Sequence, residues 1–331
     1  MSTIVDVARL ANVSRVTVTR VLNEPEKVKE ETRVRVENAI RTLSYTPNLS
    51  ARSLVSKSSG VIGMLVPDNI SGFFGSVMSA VHKQVNANGK MLMVLESADA
   101  TEEENALRKL NEINCDGFLL YIRHLADDKI THYTQDKPVA LLDAAETSVI
   151  AGVSFGHYDA AFEATQKLIT AGHRYIAVVG GPESRRSAIA RVKGCADAIR
   201  TVNPSWDTRY VLSGSYDQAF GEQATLELVT RHPEITALVY CGERSCAGGL
   251  RALKTLGRSV PDTMSVIAFD SFGLTQYLGP QIESVIYPVK EMAEYGVSEV
   301  LSRLQNRGYI IRPKAFSHSF VPGDSIRHCD A

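Results

Sequence analysis

Beyond residue 60 the chain repeats one pattern: a short apolar run, a turn, and an amphipathic stretch of helical period. The apolar runs at 61–66, 91–95, 117–122, 139–143, 175–180, 210–213, 237–241, 265–270 and 284–287 read as strands. Helical stretches lie between most of them, for example at 101–113, 158–171, 186–201 and 244–256. Apolar strands alternating with helices form parallel sheets covered on both faces. The fold class is therefore α/β. About 270 residues of this pattern suit two lobes, with a cleft between them at the carboxyl ends of the strands. A final helix, about 289–306, and a last strand, about 314–321, fall near the first lobe or the crossover.

The first sixty residues follow another rule. Thr3 and Asp6 have the spacing of a capping box, which starts a helix running to about Ala11. Asn12-Val13 offers a turn. Ser14 caps a second helix, about 15–22, which Asn23-Glu24-Pro25 stops. A third helix, about 30–44, carries Val36, Ala39, Ile40 and Leu43 at i, i+3, i+4 and i+7, one apolar stripe. Three short helices with a tight turn between the first two describe a helix-turn-helix.

On the second helix Val18, Val21 and Leu22 point inward, while Arg15, Val16, Thr19 and Arg20 share the outer face. Arginine can donate two hydrogen bonds to guanine in the major groove, and valine or a threonine methyl can touch the thymine methyl. Charge agrees. The whole chain carries −1, but residues 1–58 hold ten Lys/Arg against six Asp/Glu, or +4. The rest holds 26 against 31, or −5. A basic head on an acidic body points to a polyanion partner for the head alone. The stretch 48–60 is Ser-rich and reads as a linker, in which Leu54 and Val55 stand as isolated apolar residues. They can dock on the body or wedge into a DNA minor groove.

The chain at this point resembles a known family. Val5-Asp6-Val7-Ala8, Val13-Ser14, Thr17-Val18-Thr19-Arg20-Val21-Leu22-Asn23, Thr32-Arg33-Val34-Arg35-Val36, Tyr45-Thr46-Pro47-Asn48 and Ala51-Arg52-Ser53-Leu54 look like the head of the LacI/GalR family of bacterial transcription regulators. Gly172-His173-Arg174, Arg191-Val192-Lys193-Gly194, Val260-Pro261 and Ser265 to Asp270 resemble landmarks of its body. The resemblance implies a homodimer on a pseudo-palindromic operator. Arg15 and Val16 match its sequence-choosing pair, Arg20 a further base contact, and Leu54 a minor-groove lever on a hinge helix. The DNA-binding candidates are Thr3, Ser14, Arg15, Val16, Thr17, Thr19, Arg20, Asn23, Ala51 and Leu54. The implied fold is a helix-turn-helix head (1–46), a hinge (47–59) and a periplasmic-binding-protein-like body (60–331). Three crossing segments would join an N-lobe (about 60–157 and 289–320) to a C-lobe (about 158–288 and 321–331).

Polar and aromatic side chains gather at the strand ends: Asp68, Phe73, Phe74, Asp143, Ser187, Arg191, Tyr216, Asp270 and Tyr287. A carboxylate accepts from vicinal hydroxyls, a guanidinium donates two bonds in one plane, and an aromatic face covers a sugar ring or stacks on a purine. The same residues could instead cap helices or fill the core. By resemblance Arg191 and Asp270 hold the effector, with Asp143, Phe74, Ser187 and Tyr216 at frequent pocket positions. The chain departs from the family at Gly242-Glu243, where an amide is usual, and at Phe155-Gly156. Glu243 is the candidate to replace the missing amide. A sugar or sugar phosphate ranks first as ligand, a nucleoside or purine second, and no small ligand third.

An enzyme is the weakest class. No Gly-x-Gly-x-x-Gly follows a strand, and there is no Walker-type lysine, His-Glu-x-x-His, Cys-x-x-Cys or Gly-x-Ser-x-Gly. No cofactor and no metal are expected. The five Cys have no framework spacing and read as free thiols of a cytoplasmic protein. No apolar run or secretory signal suggests a membrane. The expectation is a DNA-binding regulator, most simply a repressor, controlled by a small ligand. The alternative is a stand-alone sugar-binding protein, which shares the body and lacks the head.

Overall fold

The computed structural model describes residues 2–45, 58–67, 71–145, 147–269 and 279–329. It divides into two compact units, Met1–Gly60 and Val61–Ala331.

The first unit holds α1 (Ile4–Leu10), α2 (Arg15–Asn23) and α3 (Glu30–Thr42), with one 3-10 turn at Pro25–Lys27. The capping box forms: Thr3 N donates to Asp6 Oδ2 at 2.9 Å while Thr3 Oγ1 accepts from Asp6 N. Thr3 Oγ1 also donates to Asp6 Oδ2 at 2.7 Å, and this bond first, then the one from Thr3 N, holds the Asp6 carboxyl below its usual range. Asn12 makes the turn in the left-handed region, φ 52°, which asparagine tolerates. Ser14 Oγ then accepts from Thr17 N at 3.1 Å and starts α2. Val7, Ala8, Val18, Val21, Val36 and Ala39 close a core of their own. Ile40 and Leu43 pack at its rim, so the stripe read from the sequence faces it.

The second unit contains two six-stranded sheets. The first is built from β1 (Val61–Pro67), β2 (Met91–Ser97), β3 (Gly117–Leu120), β4 (Val139–Leu142), β5 (Gly152–Phe155) and β11 (Lys314–Phe316), in the order β11-β5-β4-β3-β1-β2. The second is built from β6 (Ile176–Gly180), β7 (Val211–Ser213), β8 (Ala237–Tyr240), β9 (Ser265–Phe269), β10 (Glu283–Ile286) and β12 (Ser319–Val321), in the order β12-β10-β9-β8-β6-β7. Among the described residues all pairings are parallel except β10 with β12.

The helices are α4 (Gly72–Ala87), α5 (Ala100–Glu112), α6 (Asp127–Thr134), α7 (His157–Thr170), α8 (Arg186–Arg200), α9 (Gln218–Arg231), α10 (Glu243–Thr255) and α11 (Val289–Gln305). Alternation along β1 shows why both faces need cover. Ile62, Met64 and Val66 pack with Phe74, Val77 and Val81 of α4 and with Val297 and Val300 of α11. Val61 and Leu65 pack the other way, against Leu107 and Leu110 of α5 and Ile130 of α6. Each fully buried side chain of this kind contributes about 1.5–3 kcal/mol.

Both sheets wind outward from a first strand, so the order reverses between β1 and β3 and again between β6 and β8. Crevices at the carboxyl ends of strands open at such reversals. The chain passes between the sheets three times: after β5, after β10, and between β11 and β12.

Three features differ from the sequence reading. The run at 314–321 is two strands in two different sheets, because Ser317-His318 carries the chain across. Strand β5 and helix α6 carried no clear signal, being short and, for α6, largely polar. Strand β4 stops at Leu142, and Asp143 takes φ 67° beyond it.

Candidate functional site

Two surfaces carry the chemistry, one in each unit. On α2, Val18 is fully buried, whereas Val16 is 67% exposed beside the exposed Arg15 and Arg20. An apolar side chain between two guanidiniums on one open face has the composition of a base-reading surface. Thr19 is half-buried and donates its hydroxyl to Arg15 O at 3.1 Å, leaving its methyl for contact. Thr3 and Ser14 are engaged as caps, and Thr17 Oγ1 lies 2.9 Å from Ser14 Oγ. Asn23 ends α2, and its side chain lies outside the described residues, as do Ala51 and Leu54.

In the second unit a cavity of about 640 Å³, its solvent-filled mouth included, lies at the carboxyl ends of both sheets. The first lobe supplies Ser71, Gly72, Phe73 and Phe74 after β1, Tyr121 after β3, and Phe155 and His157 around the end of β5. The second supplies Arg185, Ser187 and Arg191 after β6, Tyr216 after β7, and Gly242, Glu243 and Arg244 after β8. Ser71 caps α4 by accepting from Phe74 N at 3.3 Å, which turns Phe73 and Phe74 into the wall. Phe74 meets Tyr121 edge to face, with ring centroids 5.0 Å apart.

Of the ten cleft candidates, the structure brings Phe73, Phe74, Ser187, Arg191, Tyr216 and Glu243 to this one cavity. Asp143 lines an adjoining recess with Tyr121, Arg185, Arg186 and Ser187. Tyr287 stands behind the wall, 4% exposed. Asp68 and Asp270 lie outside the described residues.

Arg191 is 5% exposed and donates to Cys241 O at 2.7 Å. Its guanidinium lies 4.3 Å from the Phe269 ring centroid and 5.7 Å from that of Tyr287. Aromatic faces offset part of the cost of burying a cation. Asp143 is engaged on both oxygens: Tyr121 donates its hydroxyl at 2.9 Å, and His157 Nε2 lies 3.0 Å from the other. His157 Nδ1 reaches the Tyr287 hydroxyl at 3.0 Å, which completes a relay from the end of β4 to the end of β10. Burial alone would raise the Asp143 carboxyl; the His157 charge and hydrogen bond, then Tyr121 and Arg186, outweigh it and hold it below the usual range. Burial, then the Asp143 charge, push the Tyr121 hydroxyl well above its ordinary value, so it stays a donor.

Tyr216 has an unusual seat. A Cβ on Gly181 would come within 2.1 Å of its ring, and one on Gly242 within 2.7 Å. The ring fills the space that a side chain at position 242 would take. That gives a physical reason for the missing amide there. The Arg185 guanidinium lies over this ring, 5.4 Å from its centroid.

The sequence reading missed Tyr121, His157, Arg185 and Arg244. Each follows directly on a strand or opens a helix, so position after a strand end was the available signal. The five cysteines are free thiols, four of them buried. Among the described residues no helix is long and apolar enough to cross a membrane.

Comparison with known proteins accords with this division. The family described as "Bacterial regulatory proteins, lacI family" matches residues 3–48. That described as "Periplasmic binding proteins and sugar binding domain of LacI family" matches residues 59–286. The HTH-type transcriptional regulator AscG of Escherichia coli K12 is 30% identical, over 98% of this chain and 98% of that protein. GalR of the same organism is 30% identical over 98% and 96%. Among solved structures, the lac repressor dimer bound to operator and the anti-inducer ONPF superposes with a TM-score of 0.88 at 23% identity, over 98% of this chain and 99% of that one, a likeness of fold. The chain belongs to the lacI family of bacterial regulatory proteins: a helix-turn-helix transcriptional regulator with a periplasmic-binding-type domain behind its DNA-binding head.

Proposed function

We propose that this regulator is a homodimeric repressor whose grip on a pseudo-palindromic operator is set by a sugar or sugar derivative in the cavity of the second unit. One observation carries the reading: the cavity wall is drawn from both lobes, at the order reversals of both sheets. An occupant that touches both lobes has different contact free energy in different lobe arrangements, which is what ligand control requires. The lac repressor neighbour, a dimer on its operator, supports the partner chemistry. In the head, Arg15 and Val16 choose bases and Arg20 adds a further contact, with Ala51 and Leu54 in the hinge. The body dimerises in part through the outer face of α4. No catalytic step belongs to the cavity, no cofactor or metal is needed, and the protein works in the cytoplasm where the DNA is.

The test is a pair of variants assayed against operator and ligand. Removing residues 1–60 should abolish operator binding while ligand binding survives. A truncated body that held operator as well as the full chain would overturn the reading. Arg15→Ala should relax base preference at one position per half-site, by about 1–3 kcal/mol. Uniform weakening across all sequences would make Arg15 a phosphate contact instead.

A further inference from the structure

The cavity does not end at its own wall. The recess beside Asp143, about 280 Å³, shares Tyr121 and Ser187 with the cavity. It shares Asp143 and Arg186 with a third hollow, a groove of about 900 Å³ with its open solvent included. The groove lies over the ends of β3 and β4 in the first lobe. Cavity, recess and groove thus adjoin in a row. The cavity alone has the size of a whole small-ligand site. The groove continues it.

Both rims of the groove are anchored. Residues 122–126 form one rim, and Glu103, fully buried, accepts there from the backbone N–H of Arg123, His124 and Leu125. Arg123 in turn donates to the carbonyls of Ser97 and Ala98. Ala145, Thr147 and Ser148 form the other rim. Asp127 holds it by accepting from the Ser148 hydroxyl at 2.9 Å and from Val149 N. Ile130 and Leu141, both buried, lie at the base. A buried carboxylate costs stability unless hydrogen bonds satisfy it. Glu103 directs its bonds to loop amides, so the groove keeps its shape with no occupant. A preformed surface loses little entropy on binding.

The lining mixes Ile122, Leu125 and Ala145 with His124 and Thr147. A sugar ring presents an apolar C–H face and a rim of hydroxyls, and meets both kinds of group. Arg186 of the second lobe spans the recess, its guanidinium 3.4 Å from the Asp143 carbonyl oxygen. That bond is long and the side chain exposed, so it can turn aside for a ligand.

We propose that the effector is a disaccharide, with one ring in the cavity and the second passing Asp143 into the groove. This rests on the sugar-effector reading above and deepens it. The second ring touches Arg186 as well as the first lobe, so it adds contacts across the lobes.

The experiment uses the full-length protein and calorimetry. Glucose is compared with cellobiose, maltose and gentiobiose, and galactose with lactose and melibiose. At least one disaccharide should bind about tenfold or more tighter than either of its component monosaccharides. Ala145→Trp fills the groove and leaves the cavity wall untouched. It should remove most of that gain while monosaccharide affinity stays unchanged. Thr147→Trp does the same from an exposed position and decides the matter if A145W does not fold. A monosaccharide binding as tightly as every disaccharide that contains it would overturn the inference and leave the sugar reading standing. So would a disaccharide preference unchanged in the tryptophan variants, or an equal fall for both sugars. Silence from every sugar would overturn both.

Discussion

Gly181→Ala should destabilise the body through one methyl group. Gly181 has no left-handed φ, so alanine suits its backbone and only space is at issue. The added Cβ would lie 2.1 Å from Tyr216 Cζ, 2.3 Å from its hydroxyl oxygen and 2.5 Å from Cε1. Carbon atoms pack at about 3.5–4.0 Å. The shortfall exceeds an ångström, more than a few tenths of give can absorb, so the ring must leave its seat. Overpacking of this kind costs about 1–3 kcal/mol. At about 2–4 °C per kcal/mol for a domain of this size, the body's unfolding midpoint should fall by roughly 2–12 °C. The decisive measurement is a double-mutant cycle with Tyr216→Ala. Once the ring is gone the methyl has nothing to meet, and Gly181→Ala should then cost close to zero. An equal cost in both backgrounds would refute the steric account and with it the claim that these glycines seat the ring.

Two further outcomes follow from side chains that shape the cavity. Glu103 is fully buried and accepts from the backbone N–H of Arg123, His124 and Leu125 at 2.8, 3.1 and 3.0 Å, which fixes the loop behind Tyr121. Glu103→Ala leaves three amides unpartnered and should cost about 2–4 kcal/mol in denaturant unfolding, with Glu103→Gln costing clearly less. The Asp143 carboxyl is depressed in the folded state, so its contribution is present above the unfolded value of about 3.9 and is lost as pH falls through the lower folded value. The stability gap between wild type and Asp143→Asn should therefore be full near neutrality and narrow below about pH 4; a gap independent of pH would contradict the assignment.

The chain wrote some elements plainly and others hardly at all. Strands β1, β6, β8 and β9 are buried along their whole length, and so read as unbroken apolar runs. The caps at Thr3 and Ser14 were legible because a cap is a local hydrogen bond between residues three apart. Strand β5 was not, since it is four residues long and half of them are only partly buried. The run 314–321 showed where a strand could form but not that a two-residue step would carry it to a second sheet. In the site, Phe73, Phe74, Ser187, Arg191 and Tyr216 are legible because they follow strand ends, and Glu243 because the chain departs there from the family it resembles. The Asp143–His157–Tyr287 relay was not, because it joins residues 14 and 130 positions apart. Such a contact has no local pattern.

That relay bears on how a ligand could be felt. His157 opens α7 where the chain first crosses between the sheets, and its ring touches Asp143 on one side and Tyr287 on the other. Tyr287 closes β10 just before the second crossing, and its ring packs on Phe155 at 4.6 Å, the residue ahead of the first. Two crossings are thus tied to one another by a polar chain and an aromatic contact. His157 and Phe155 also stand in the cavity wall. A ligand that presses on this wall acts on groups holding the crossings together, so its contact energy bears directly on the angle between the lobes. Packed interfaces of this kind have discrete arrangements and do not yield continuously. The ligand therefore needs only different affinity for two arrangements, a coupling of about 1–3 kcal/mol in typical regulators. Breaking the relay at His157 should weaken that coupling more than it weakens ligand affinity.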